Sequence, residues 1–276
     1  MIKKQLVSLM HDGISRSIVR YSFVMLSTIA FMHFTATDKV ASAAGRIPFK
    51  PGEKLIYEGN WNKIPAGELT LEVLPRKTIN GIESYHFAMI TKTNSTVDLI
   101  YKIRDRQDSY VDAGMTKSIF YSKKTESKHP RDVHVNFDWT KQEATYTNFG
   151  KKKPPVKILP GTFDPLALLY IIRLQNLKEN SKIHIPLTDG KSSYEIKAIV
   201  GKKDIITIEG KRYNVVEITP DMEMSDTLKT VTKKKAPPQF KMWVTADEKK
   251  IPLRIRSKMG IISFDFDFVP GLSEIQ

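Results

Sequence analysis

The chain has 276 residues, a formal net charge of +14, 41% apolar residues and no cysteine. This length suits one large β domain or two small ones, with enough apolar content for a core that needs no cross-links. The missing cysteines exclude disulfides, thiolate metal sites, a cysteine nucleophile and the lipidated cysteine of a bacterial lipoprotein.

The first element is a targeting segment. Lys3, Lys4, Arg16 and Arg20 form a basic region, and Tyr21–Phe34 contains no Lys, Arg, Asp or Glu. Ala41-Ser42-Ala43, or Ser42-Ala43-Ala44, offers a small-x-small cleavage site. The uncharged run is shorter than the roughly 20 residues that span a bilayer as a helix. The expectation is a cleaved signal peptide over residues 1–43, a periplasmic destination and a single β-rich domain over 44–276. An uncleaved N-terminal membrane anchor is the alternative. Without the segment, 39 basic residues face 28 acidic ones, a net +11. Nucleic acid is then not an expected partner. Anionic lipid, lipopolysaccharide phosphate or an envelope glycan suits the surplus, and solubility alone is the plain alternative.

From Phe49 onward the apolar residues alternate with period two, as in half-buried strands. Leu55, Tyr57 and Trp61 share one face of the first strand, and Leu69, Leu71 and Val73 one face of the second. Tyr85, Phe87 and Met89 follow the turn pair Asn80-Gly81. Val133, Val135, Phe137 and Trp139 then alternate with His134, Asn136 and Asp138.

Asp164–Leu177 (DPLALLYIIRLQNL) interrupts this pattern as the one strong helical signal, ending by about residue 178. Asp164 suits an N-cap and Pro165 the first turn. A helix apolar on nearly every side must be enclosed, and the enclosing material is strand. Later strands include Ile183-Ile185-Leu187, Tyr194-Ile196-Ala198-Val200, Phe240-Met242-Val244 and Phe264-Phe266-Phe268. Hairpin-length gaps between them predict a mainly β fold. It is an antiparallel meander of about 13–14 strands forming a barrel or half-barrel around one buried helix. Ile79-Asn80-Gly81 followed by Tyr85, and Ile208-Glu209-Gly210 followed by Tyr213, suggest that the halves flanking the helix are built alike; chance is the alternative. Two basic proline segments must leave the sheet, Lys151-Lys152-Lys153-Pro154-Pro155 and Lys233-Lys234-Lys235-Ala236-Pro237-Pro238. Placed at one rim, their lysines would attract anions; otherwise they are solvated loop charges.

Catalytic signatures are sparse. No G-x-S-x-G elbow, G-x-G-x-x-G turn or phosphate loop occurs. His129, Asp132, His134 and Asp138 lack metal-ligand spacing, so no metal and no cofactor is expected. Asp265 and Asp267 share a strand face at about 6.8 Å backbone spacing, within the range of an inverting glycosidase pair. Their alternation with phenylalanines points them to solvent instead. Tyr57, Trp61, Trp139, Tyr170 and Trp243 are candidate walls of an apolar binding interior, with plain core packing as the alternative. Arg173, the one charge in the helix, either pairs with a carboxylate, snorkels, or meets an anionic head group.

Three blocks occur in order: FKPGEKLIYEGNWNKIPAGELTLEV (Phe49–Val73), FDPLALLYIIRL (Phe163–Leu174) and KMWVTADEKKIPLRIRSKMG (Lys241–Gly260). Together they resemble the exported bacterial proteins grouped as domain of unknown function 3108. The resemblance implies a largely β periplasmic or surface protein and brings no catalytic residues. Trp243, Asp247 and Pro252 also give the last block a looser similarity to the half-barrels of periplasmic lipoprotein carriers and related sigma-factor regulators. The expected function is non-enzymatic binding of a lipid or other amphipathic envelope molecule. An envelope scaffold that binds protein or glycan, and a polysaccharide-acting enzyme, are the alternatives.

Overall fold

The computed structural model describes residues 47–224, 239–259 and 262–276. The expected signal peptide and Lys233–Lys235 lie outside the described residues. The alternating segments pair as strands β1 (Lys54–Trp61), β2 (Ile64–Ile79), β3 (Ile82–Thr93), β4 (Ile103–Asp112), β5 (Ser118–Ser127), β6 (Arg131–Asp138), β7 (Glu143–Asn148), β8 (Lys151–Lys152) and β9 (Val156–Lys157). A second series follows: β10 (Lys182–Thr188), β11 (Ser193–Ile208), β12 (Lys211–Met224), β13 (Gln239–Thr245), β14 (Pro252–Met259) and β15 (Ile262–Phe268). Among the described residues two α-helices accompany them, the single turn α1 (Ser95–Asp98) and α2 (Ala167–Leu174), with a 3-10 turn at Pro270–Leu272.

All fifteen strands join one sheet, in the order β10-β11-β12-β13-β14-β15-β1-β2-β3-β4-β5-β6-β7-β8, with β9 also on β7. The expected thirteen or fourteen strands become fifteen because Pro154 and Pro155 separate two-residue pieces, β8 and β9, on the same neighbour. First and last strands meet in the middle, where Tyr57 of β1 faces Phe268 of β15.

The expected likeness of the two halves has a local counterpart. Hairpins β2–β3 and β11–β12 turn through Asn80-Gly81 and Glu209-Gly210, with both residues of each pair at positive φ. Each hairpin also carries a register shift part-way, between Leu74 and Lys77 and between Val200 and Lys203.

Helix α2 lies inside the curl of the sheet, with Ala167, Leu168, Tyr170, Ile171, Ile172 and Arg173 buried. It is shorter than the apolar run because Gln175 leaves it in an extended conformation, at φ −72° and ψ 153°. Asp164 acts one turn ahead of the helix. Its Oδ1 accepts from Leu166 N at 2.9 Å and Ala167 N at 3.0 Å. Its Oδ2 accepts from the hydroxyls of Ser109 and Ser118, both at 2.6 Å. The far end of α2 is held by Arg173, whose guanidinium meets Glu53 at 2.6 and 2.9 Å and donates to Lys249 O. Tyr170 stacks on Phe87 at 3.8 Å between ring centroids, and Phe49 closes edge-on to both rings.

The sheet is not closed. The connector before α2 spans the gap between its two ends by a few main-chain bonds. Phe163 N donates to Pro186 O and Phe163 O accepts from Thr188 N, each at 2.9 Å, while Thr162 O accepts from Ser118 N at 3.1 Å. This seam positions the site described next. Among the described residues no helix is long and apolar enough to cross a membrane.

Candidate anion-binding cleft

At the seam, the β10–β11 turn folds back over the inner face of β6 and β7. The turn is tied by its own side chains: Asp189 Oδ1 accepts from Lys191 N and Ser192 N, both at 2.9 Å. Thr188 Oγ1 accepts from Gly190 N at 3.0 Å and donates to Ser192 O at 2.8 Å. Gly190 has φ +78°, and a Cβ there would lie 2.8 Å from both methyl carbons of Val135 and 3.2 Å from Tyr146 Cβ. Only glycine lets the turn lie this close, and the approach delivers Lys191 to Tyr146, with Nζ 4.3 Å from the ring centroid.

The result is a cleft of about 330 Å³ lined by Arg131, Tyr146, Asn148, Lys151, Lys152, Lys153 and Lys191. Five of the seven are cations, and among the described residues none of the five forms an ion pair with a carboxylate. Tyr146 supplies an aromatic wall, with Lys153 Nζ 6.0 Å from its centroid. Burial pushes the Lys191 ammonium down, Asp189 opposes the shift and Arg131 reinforces it. Burial pushes the Tyr146 hydroxyl up, opposed by Arg131 and Lys153. An anion in the cleft would relieve this crowding of like charge.

A polar row on the inner face of β3, β4 and β5 adjoins the same cations. Thr91, Asp105 and Thr125 stand in register across the three strands. Lys123 Nζ meets Asp105 Oδ2 at 3.0 Å, and Tyr121 donates to Gln107 Oε1 at 2.7 Å. Burial lowers the Lys123 ammonium; Asp105 opposes this, while Arg131 and Lys191 add to it. Thr91 Oγ1, Asp105 Oδ1, Gln107 Nε2 and Thr125 Oγ1 are buried without a protein partner. The interior is therefore apolar around α2 and polar next to the cleft.

The family model described as "Protein of unknown function (DUF3108)" matches residues 56–268. The chain belongs to this family. Its fold is also similar to a crystal structure described as a β-barrel-like protein of domain of unknown function DUF1849 from Brucella abortus. The TM-score is 0.51 and the identity 13%, over 79% of this chain and 95% of that one. Comparison with curated proteins gives no match.

In this DUF3108 chain Tyr57 and Tyr170 share the core with Arg173 and Glu53, while the three tryptophan candidates lie elsewhere. Tyr57 is fully enclosed and donates to Pro252 O at 2.8 Å. Tyr170 donates to Glu72 O at 3.2 Å. Trp61 stacks on Phe264, and Trp139 donates from Nε1 to Ser118 O at 2.9 Å. Trp243 lies on the outer face, between inward-facing Met242 and Val244, with Arg256 5.4 Å from its ring centroid. Arg173 and its partner Glu53 are each only 1% exposed, so its charge is matched inside the core. Lys151, Lys152 and Lys153 do come together, in the cleft. Arg131 and Tyr146 complete it from the paired strands β6 and β7, and Lys191 across the seam; none of the three carries a sequence signal of its own, because what joins them is tertiary contact.

The carboxylate pair of the enzymatic alternative is engaged on the outer face, Asp265 by Arg256 and Asp267 by Arg254. Among the described residues no group of three or more His, Asp or Glu is arranged to hold a metal.

Proposed function

We propose that the protein is an exported, non-enzymatic binding protein that holds an anionic, amphipathic envelope molecule at the seam cleft. One observation carries this: five cations, none in an ion pair with a carboxylate among the described residues, line one cleft with Tyr146. Phosphate or carboxylate oxygens satisfy such a cluster through charge-assisted hydrogen bonds, and Arg131 suits a two-pronged contact. The aromatic ring offers an apolar surface to whatever the anion is attached to. Helix α2 acts as a fixed plug, because Asp164 and Arg173 anchor its two ends. The ligand therefore sits at the seam and not in place of the helix. The basic n-region and uncharged run of the sequence support an exported, periplasmic location for this activity.

Native mass spectrometry of the protein isolated from periplasm without detergent tests the proposal, run before and after organic extraction. The expected result is a co-purifying phosphate- or carboxylate-bearing lipid or glycolipid, lost from a Lys191→Glu variant. A bare wild-type mass, together with no detectable binding of glycerol phosphate, would sink it.

A further inference from the structure

The β7–β8 hairpin reverses through Phe149 and Gly150, since Asn148 pairs directly with Lys151. The φ angles are +47° and +72°, the geometry of a two-residue type I′ turn. Both central positions of this turn favour glycine, asparagine or aspartate, and a bulky side chain in the left-handed region is strained. The β2–β3 hairpin uses Asn80 at the equivalent place. Little packing repays this: Phe149 is one of the exposed large apolar residues, at 55% exposure. A large aromatic is thus held at the tip of a hairpin at a conformational cost and left in solvent.

Its neighbours define what would cover it. Lys151, Lys152 and Lys153 follow after Gly150, and all three line the cleft with Arg131. The main chain is anchored there, with Phe149 N donating to Asp132 O at 2.9 Å. An exposed apolar ring next in the hairpin to a run of cations matches a surface where anionic and apolar layers lie within one side-chain length of each other. An anionic bilayer has that layering. A soluble anion would engage the lysines and leave Phe149 unexplained.

We propose that the β7–β8 tip docks on an anionic phospholipid bilayer. Phe149 enters the boundary between head groups and acyl chains, the three lysines meet head-group phosphates, and the cleft faces the lipid from which its ligand comes. This rests on the anion-binding reading of the cleft and adds a membrane-facing orientation to it.

The test is co-sedimentation of the processed protein with vesicles of phosphatidylglycerol and phosphatidylcholine, against phosphatidylcholine alone, with glycerol phosphate titrated in parallel. The informative variant is Phe149→Asn. Asparagine tolerates the left-handed conformation, so this variant is expected to melt at a higher temperature than wild type. Yet it should bind the anionic vesicles about tenfold more weakly, having lost a buried phenyl group. Its glycerol phosphate affinity should be unchanged. A gain in melting temperature alongside a loss of vesicle binding cannot come from unfolding. Equal vesicle binding by wild type and Phe149→Asn overturns the docking surface. So does glycerol phosphate binding without any vesicle binding, which leaves the cleft reading standing. Phe149-dependent vesicle binding without glycerol phosphate binding upholds the docking surface and removes the cleft ligand.

Discussion

Arg173 and Glu53 show how much one residue pair can hold. The guanidinium ties α2 to the segment before β1 through Glu53 and to the β13–β14 turn through Lys249 O. Removing one partner leaves the other charge buried and alone, which costs about 3–5 kcal/mol. Arg173→Met or Glu53→Gln is therefore expected to lower stability by that amount in urea titrations. The double substitution should recover most of the loss. Asp108, on the outer face, predicts a pH response. Burial pushes its carboxyl up, but hydrogen bonds from His86 and Arg106 outweigh this and hold it at about 2. The folded carboxyl thus lies below the ordinary carboxylate range. Its contribution is complete above about pH 4 and is lost as the pH falls towards 2. Asp108→Asn should flatten the acid limb of the stability profile within that window, checked by thermal melts between pH 2 and 6.

Among the elements, α2 and the seam carry the consequences. Asp164→Ala would strip four donors of their acceptor inside the core, two of them main-chain N–H groups. The expected cost is about 3 kcal/mol, with Asp164→Asn milder because it keeps an acceptor. Gly190→Ala would drive a methyl group into Val135 at a positive φ, costing about 1–3 kcal/mol. It should also weaken ligand binding by lifting Lys191 off Tyr146; calorimetry on the folded variant separates the two effects.

These elements also mark what was legible in the sequence. The alternation gave those strands whose inner face is apolar, but not β4, which turns Asp105, Gln107 and Ser109 inward; Asp164 was visible as a cap because capping is local. The helix ended early at Gln175, where tertiary packing overrode an apolar run that continues to Leu177. Glu53 lies 120 positions from Arg173. Among the carboxylates of the chain, local pattern could not single it out as the partner. Lys151–Lys153 were recognisable as a cationic loop. Arg131 joins them through the pairing of β6, β7 and β8, and Lys191 only because a glycine turn crosses the open seam, a contact with no periodicity to announce it.

For the molecule as a whole, charge sets the behaviour. A processed chain of net +11 with a cationic cleft should bind its anion strongly at low salt. Screening tightens from a Debye length of about 10 Å at 0.1 M salt to about 3 Å at 1 M. Affinity for glycerol phosphate, followed by titration calorimetry, is expected to fall steadily over that range. Affinity that ignores salt would mean that the cations are not the recognition element.

The pairing of β1 with β15 sets the timing of assembly. Tyr57 waits for Phe268, 211 positions later, before the centre of the sheet can form. As the chain emerges N-terminus first, β1 to β8 can pair as a meander while the outer edge of β1 stays open. Such long-range closure is slow, and an uncovered edge recruits other chains. A chain cut short before Ile262 would keep that edge permanently. The pairing therefore acts as a check on β15: only a chain that has reached Phe268 can hide the outer edge of β1.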